Sequence, residues 1–553
     1  MSTETRGDVI QSFGEVSKRV GIVFRYLLLA ATMFGIATLA VLLVFVANDA
    51  IQPLTADPRW HLTFLLAFVL PTLAVGGYLY ARDAPGFGFG ASTVGLVVVS
   101  LLFSGGVAMV FVDLVDPIVW FAYTVALAVP MGVVLLLQRE SHRVGFLTRV
   151  GVTTLAFYLS LAGVPGPLGN ALGVPQVVPS LANLVAGIPV LPVDWMLLLV
   201  SVTLPLAAFV GLQARRLFDG DDRVGLGVAV AALAVVAVAA VAGPSVGITP
   251  IPATVLATTV LLPAGAYAGS TVIEHPERRQ GLLLPLVVFG GALVGAALVQ
   301  QFGFAGPQSW VDWQFLTDAH SRNAENAGLY PAIGGSILLM VAVAVLAFPL
   351  GVGAAVYLEE YAPDNRLTRF IDVNISNLAG VPSVVYGLLG LGVFVTYLGQ
   401  PTGTVAIGGA TLALLILPIV IISSREAIRS VPDEMRQASY GMGATKWQTV
   451  RNVVLPRAFP GILTGTILAL GRAIGETAPL IMIGAPNVVF SLPAELGAKV
   501  SAMPLQVYAW ASLFAGPDFY QKAVPAGVVV LVTVLLAMNS VAIVLRNRYQ
   551  SDN

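Results

Sequence analysis

The chain has no cysteine among its 553 residues, and only 10% of them are charged. Without thiols it has no disulfide, no thiolate nucleophile and no cysteine-held zinc or iron–sulfur cluster. The scarcity of charge excludes a soluble globular chain, where roughly a quarter of residues are charged. A net charge of −1, with no block rich in Lys and Arg, gives no support to nucleic-acid binding. The four lysines follow Ser17, Thr445, Ala498 and Gln521, so the Gly-Lys pair of a phosphate-cradling P-loop is absent. His61, His142, His275 and His320 fall in predicted loops or at span edges without the paired spacing of a helical metal site, so no metal centre is expected.

What the chain has in abundance is apolar length: 57% of residues are hydrophobic and the mean hydropathy is +0.88. Apolar runs of about 20 residues, enough to cross a hydrocarbon core, recur from end to end. The expected fold class is therefore all-α, a polytopic transmembrane helical protein of about fourteen spans. In the first half they are predicted at 26–48, 62–81, 91–112, 117–137, 148–164, 195–214, 224–243 and 252–273. In the second half they are predicted at 281–301, 331–358, 376–398, 404–424, 459–484 and 524–545. The Pro/Gly-rich stretch 165–193 suits a re-entrant or interfacial piece. The first run is too long for a signal-peptide core and follows Glu4, Asp8 and Glu15, which predicts a retained helix.

Basic residues orient this map. With a cytoplasmic N-terminus, only Arg59, Arg322, Lys499 and Lys522 fall outside and Arg472 falls within a span, so both termini are expected in the cytoplasm. Pro71, Pro130, Pro205, Pro263 and Pro349 each precede the first cytoplasmic charge of their span by about ten residues. Either an ancient hairpin duplication or common prolines in common places accounts for that recurrence.

The longest polar interruption of the second half, 425–458, carries Arg425, Arg429, Arg436, Lys446, Arg451 and Arg457 against Glu426, Asp433 and Glu434. Pro432 followed by Asp433 and Glu434 predicts a helix start, and Gly441 and Gly443 its stop. A second short amphipathic helix is predicted from Thr445 to Leu455, before Pro456. On charge alone the segment also fits a solvated basic loop attracted to lipid headgroups.

Residues 437–456 resemble the cytoplasmic coupling loop of ABC-importer permeases, whose pattern runs Glu-Ala-Ala, three residues, Gly, nine residues, Ile-x-Leu-Pro. Gln437, Ala438 and Ser439 stand for the first triplet, Gly443 follows at the right distance, and Val453, Val454, Leu455 and Pro456 close it. The run 437–480 and the blocks GLYPAIGGSILLM (328–340), PLGVGAAVYLEEYAP (349–363) and NLAGVPSVVYGLLGLGVFV (377–395) are similar to PstA, a permease family of phosphate ABC importers. The similarity covers about 276–553 and implies a six-span ABC-importer permease domain there. Residues 1–275, an N-terminal extension of about eight transmembrane helices, have no counterpart in the usual pattern. Gln437 in place of Glu puts in doubt any charged contact at that position.

In such a family the coupling loop docks on a separate ATPase subunit, so the resemblance implies a PstB-like ATPase dimer, a homologous PstC-like permease and an extracytoplasmic PstS-like phosphate-binding protein as partners. ATP and magnesium would be bound by the ATPase, leaving this chain without a cofactor of its own and without enzymatic activity. It implies a prokaryotic inner (plasma) membrane protein that forms the translocation path for inorganic phosphate. A permease for sulfate or molybdate stays open, as does an ion-coupled secondary transporter, although that class needs no ATPase dock.

Arg472 and Glu476 are the strongly charged pair of a core span, 459–484, in which Arg472 lies near the middle. Spacing i, i+4 puts both on one helical face, and ionisable groups at that depth usually mark a substrate path. A guanidinium offers an oxyanion planar bidentate donors; alternatively the pair is a salt bridge locking helices together. Thr477 and Ser336 add neutral donors or mediate helix contacts. Of the outward loops 302–330 and 485–523, the second is rich in aromatic residues, suited equally to an interfacial belt or to a docking partner.

Overall fold

The computed structural model describes residues 18–113, 117–139, 145–164, 177–188, 198–218, 220–493, 495–514, 516 and 518–551. Among them the chain is helical, with two isolated antiparallel bridges, Val164–Val178 and Thr404–Lys499, as its extended pairings. In the first half lie α1 (Lys18–Ile51), α2 (Pro58–Arg82), α3 (Ala84–Asp113), α4 (Pro117–Arg139), α5 (Phe146–Leu161), α6 (Leu181–Ala186), α7 (199–217), α8 (Asp222–Ser245) and α9 (Pro250–Glu274). The second half holds α10 (Pro276–Phe302), α11 (Trp313–Thr317), α12 (Tyr330–Tyr361), α13 (Arg366–Ala379), α14 (Ser383–Tyr397), α15 (Val405–Arg429), α16 (Asp433–Gly441), α17 (Lys446–Ile474), α18 (Ala478–Met482), α19 (Met503–Ser512) and α20 (519–551).

Ten of these helices are long and apolar enough to cross a membrane, eleven when α13 and α14, bent by 105° at Gly380–Pro382, are taken as one. Each of the fourteen predicted spans has helix in its place. The 16-residue α5 is short for a crossing, and α7 carries Arg215 and Arg216 in its last turn. Of the stretch 165–193, residues 165–176 and 189–193 lie outside the described residues; within 177–188, α6 starts where the Ser180 hydroxyl accepts the Asn183 N–H at 3.1 Å.

The prolines have a local consequence. A π turn ends two residues before Pro71 (Leu65–Val69), Pro205 (Leu199–Thr203), Pro263 (Ala257–Leu261), Pro456 (Val450–Val454) and Pro525 (Phe519–Ala523). Proline has no N–H and its ring crowds the carbonyl four residues back; widening the preceding turn relieves that clash without breaking the helix. Pro71, Pro205 and Pro263 of the recurrent set are in this group, whereas Pro130 and Pro349 sit inside α-helix.

The halves meet across a seam of glycines. A β-carbon at Gly281 would run into the Gly86 carbonyl, at Gly90 into the Gly281 carbonyl, and at Gly291 into the Ala67 carbonyl. Thus α2 and α3 approach α10 backbone to backbone. At one end of this seam the Asp57 N–H donates to the Ala305 carbonyl at 2.9 Å, the Trp310 N–H to the Ala50 carbonyl at 2.8 Å, and the Tyr330 hydroxyl to Asp113. The boundary near residue 275 is therefore a division in sequence across which the helices are closely packed.

The second half is built on α12, α15 and α17, with Leu339, Val343, Leu412, Ile416, Val420 and Ala469 at its centre. The aromatic segment 501–514 is part of a second core. Trp510 is wholly buried and its indole N–H donates to His320 Nδ1 at 3.0 Å, while Gln506 Nε2 donates to the Gly328 carbonyl at 3.0 Å. The two loops predicted to face outward thus fold on each other. Phe490, Tyr508 and Tyr520 are the exposed aromatics of the second, which the sequence alone suited equally to a belt or to a docking partner.

Candidate functional site

The segment after α15 is a helix, a tight turn and a second helix. Chain reversal at Val431–Pro432 starts α16, whose first turn holds Asp433 and Glu434 at its positive end. It stops in a turn in which the Gly443 N–H donates to the Tyr440 carbonyl at 2.9 Å and Ala444 N–H to the Ser439 carbonyl at 3.2 Å. Gly443 has φ +81°, a left-handed conformation that a side chain resists. Among the described residues, its chain neighbours apart, nothing lies within 4 Å of a β-carbon built there, so the turn itself, and no close approach between the helical arms, demands glycine.

Helix α17 then opens with a capping box: Thr445 Oγ accepts the Gln448 N–H at 3.3 Å and Gln448 Oε1 accepts the Thr445 N–H at 2.8 Å. The predicted separate helix ending before Pro456 is not formed. The π turn Val450–Val454 lets the helix run through Pro456 into the membrane span without a break. Gln437 and Ala438 are exposed, and Ser439 bonds Thr449 hydroxyl to hydroxyl at 2.8 Å, tying the two arms together. Val453 and Leu455 are partly buried and Pro456 is exposed. At the turn Met442 is 89% exposed, with Trp447 and Tyr440 also open, which forms an apolar knob.

Behind this knob lies an ion network that reading the sequence did not find. Arg425 places Nε 2.7 Å from Glu359 and clasps Asp372 with Nη1 and Nη2 at 2.7 and 3.2 Å. Arg429 reaches the same Glu359 at 2.7 Å. Arg436, on α16, brings Nε and Nη2 to Glu360 at 3.1 Å and donates to the carbonyls of Ile428, at 2.9 Å, and Val431, as well as to Asp433 at 3.2 Å. It therefore caps the end of α15 while gripping the end of α12. The side chains of Arg436 and Glu360 are 14% and 6% exposed. The usable signal was the acidic pair Glu359-Glu360 following an apolar span, which demands basic partners if it is buried.

The charge pair Arg472–Glu476 occupies a different setting from the one predicted. Helix α17 stops at Ile474; the Gly475 N–H closes back on the Arg472 carbonyl at 3.2 Å, and the short α18 follows. Arg472 is thus in the last turn, where a cation suits the helix dipole, and Glu476 lies past the helix end. Arg472 nevertheless stands level with the middle of a neighbouring helix. Gly461 and Gly465 face Ala427 and Ser423 of α15, and continuing that antiparallel register brings Arg472 level with about residue 416, the middle of α15. Helix α17 thus ends level with the middle of α15, where Gly475 and Pro479 stop it, and α18 packs onto Gly387 of α14 through Pro479 and Met482.

Arg472 Nε stands 3.4 Å from Glu476 Oε1, a long contact, and among the described residues its other donors take no protein partner. Its side chain is 47% exposed against 16% for Glu476. Thr477 is half-buried beside the pair, and the side-chain amide oxygen Oδ1 of Asn539 on α20 lies next to Gly471. Ser336 is remote from this site: its hydroxyl accepts the N–H of Met503, a residue of the second core, at 2.9 Å. Among the described residues no group of three His, Asp or Glu is arranged to hold a metal ion.

Comparison with known proteins agrees with this architecture. A family model described as "binding-protein-dependent transport system inner membrane component" matches residues 347–550. The probable ABC transporter permease protein YqgI of Bacillus subtilis is 38% identical over 193 residues, 34% of this chain and 65% of that one. The phosphate transport system permease protein PstA of Yersinia pestis is 35% identical over 224 residues, 40% of this chain and 72% of its own. A PstC of Mesorhizobium japonicum is 32% identical over 241 residues, 38% and 71% of the two chains. The chain spans about three-fifths of the length of the first curated relatives it matches, 58–65%.

Proposed function

Because this chain belongs to the binding-protein-dependent transport permeases, as a PstA-like ABC-importer permease, we propose that its second half forms part of the path along which an ATP-driven importer moves inorganic phosphate inward. The observation that carries the proposal is Arg472: a guanidinium held halfway along a span at a helix end, half exposed and with unused donors. An oxyanion takes planar paired N–H groups well. Glu476, within reach, balances the charge when no anion is present.

The knob of Met442, Trp447 and Tyr440, backed by the Arg436 network, is the dock for an ATPase subunit, which would bind ATP and magnesium. Relatives named PstA and PstC both match this chain, which supports pairing with a homologous permease. An extracytoplasmic phosphate-binding protein would deliver substrate to the outer face, with both termini in the cytoplasm.

The test is phosphate uptake in membranes holding equal amounts of each variant. Arg472→Lys keeps the charge but loses the bidentate fork and should insert normally while transporting poorly. Arg472→Gln with Glu476→Gln leaves no unpaired charge and should abolish uptake. Full uptake by the double variant would leave the pair a helix lock only, and uptake of sulfate or molybdate in preference to phosphate would reassign the substrate.

A further inference from the structure

Helix α13 is amphipathic and, taken by itself, is not among the described helices long and apolar enough to cross a membrane. It begins where Asn365 Oδ1 accepts the Thr368 N–H at 2.9 Å, runs 14 residues, and meets α14 at 105°. Since α14 enters the bilayer as part of a span, an axis roughly perpendicular to it lies along the membrane surface. Rotation of α13 about that axis is fixed by Asp372, which the partly buried Arg425 holds through two hydrogen bonds.

Five residues, hence about 140°, around the helix from Asp372 stands Leu367, and Phe370, Ile371 and Leu378 share its side. Leu367 and Phe370 are each 66% exposed. This apolar stripe continues into Val384, Val385, Leu388 and Leu389, exposed on α14. Two arginines, Arg366 and Arg369, lie along one border of it; Arg369 is 73% exposed, with the still more open Asp364 at 3.4 Å. The helix's own acid, Asp372, is already engaged by Arg425.

We propose that α13 is a lipid-seated strut: its apolar stripe lies in the cytoplasmic leaflet and Arg366 and Arg369 bind anionic headgroups. An in-plane helix with one apolar face and basic residues at its border suits such a surface. Through Asp372–Arg425–Glu359–Arg429 the strut holds the cytoplasmic ends of α12 and α15, from which the coupling helix α16 is hung. The proposal stands whether or not phosphate is the substrate.

Absence of cysteine makes single labelling sites clean. In the transporter assembled with its partner subunits, nitroxide probes at Leu367→Cys, Phe370→Cys and Ser376→Cys are compared for collision with oxygen and with a water-soluble nickel chelate. The vesicles are phosphatidylcholine alone or mixed with phosphatidylglycerol. Probes at 367 and 370 should favour oxygen and the probe at 376 nickel. Phosphatidylglycerol should shift the population toward the deeper position by about fivefold per arginine at low salt, and Arg366→Gln/Arg369→Gln should remove that increment. Probes at 367 and 370 as nickel-accessible as 376 would show a solvated helix. Protection from both reagents would show a face covered by a partner subunit. Either result overturns the proposal, as does an oxygen preference indifferent to phosphatidylglycerol for its headgroup part.

Discussion

Removing the Arg436 guanidinium while keeping the rest of the chain tests whether the coupling helix is locked to the membrane core. In Arg436→Met, Glu360 stays behind with a side chain 6% exposed and no cation, the Val431 carbonyl loses the guanidinium as a donor, and the Ile428 carbonyl keeps only the Val431 N–H at 3.2 Å. Breaking a buried pair by truncating one partner costs about 3–5 kcal/mol, because the remaining charge is stranded. Truncating both members, Arg436→Met with Glu360→Met, removes the stranded charge and should recover most of that loss. A double-mutant cycle on thermal unfolding in detergent should therefore give a coupling energy of about 3 kcal/mol, far above the 0–1 kcal/mol of a surface pair. The same cycle read on transport should differ. Both single variants and the double variant should hydrolyse ATP in the assembled complex with weakened dependence on substrate, since α16 then moves without drawing α12 and α15 with it. Additive single and double effects, each under about 1 kcal/mol, would refute the lock, and wild-type coupling of uptake to hydrolysis in the double variant would refute its role in transmission.

Other expectations are as direct. Gly443→Val should distort the left-handed turn and lose both uptake and copurification of the ATPase from intact membranes, whereas Gly443→Asn, which tolerates φ +81°, should retain them; wild-type uptake by the valine variant would sink the docking assignment. Gly291→Leu should push α10 off the Ala67 carbonyl and lower the yield of monodisperse protein in detergent, while a chain beginning near His275 should still insert, because Arg278 and Arg279 can orient its first span; failure of that chain to insert at normal expression would make the extension part of the folding unit. Burial holds the His320 imidazole below its ordinary pKa of 6.5, and its Nδ1 must stay unprotonated to accept the Trp510 N–H. The unfolded chain then binds a proton that the folded chain refuses, so stability is full above about pH 6.5 and falls as pH drops below it. His320→Phe should flatten this slope in melting curves taken across that range.

The sequence made the spans legible because twenty apolar residues between charges have few other destinations. The turn at Gly441–Gly443 and the start at Pro432 were equally readable, being dictated by local backbone chemistry. What escaped were features that depend on partners far apart in the chain. Glu359 and Arg425 looked like two loop charges, and 66 residues separate the members of that pair. Trp510 looked interfacial because its partner His320 is 190 residues away. Hydropathy also carried the span 459–484 straight across, since Gly475 and Pro479 are too few to lower an average though they are enough to stop a helix.

The π turn at the entry of α17 sets an angular constraint that no measure of length or hydropathy expresses. From Val450 the buried positions step by four, through Val454, Ala458 and Ile462 to Thr466. On an ideal helix each such step slips by about 40°, so the buried line would spiral away from its neighbour. The extra residue absorbed by the π turn gives back about 100° and keeps the line facing α15. Segment 450–454 therefore works as a phase adjuster between the coupling turn and the span. Deleting one residue there would leave every apolar run intact and shorten the helix by only about 1.5 Å, yet rotate Met442 and its knob by more than a quarter turn away from the direction in which a partner must meet it.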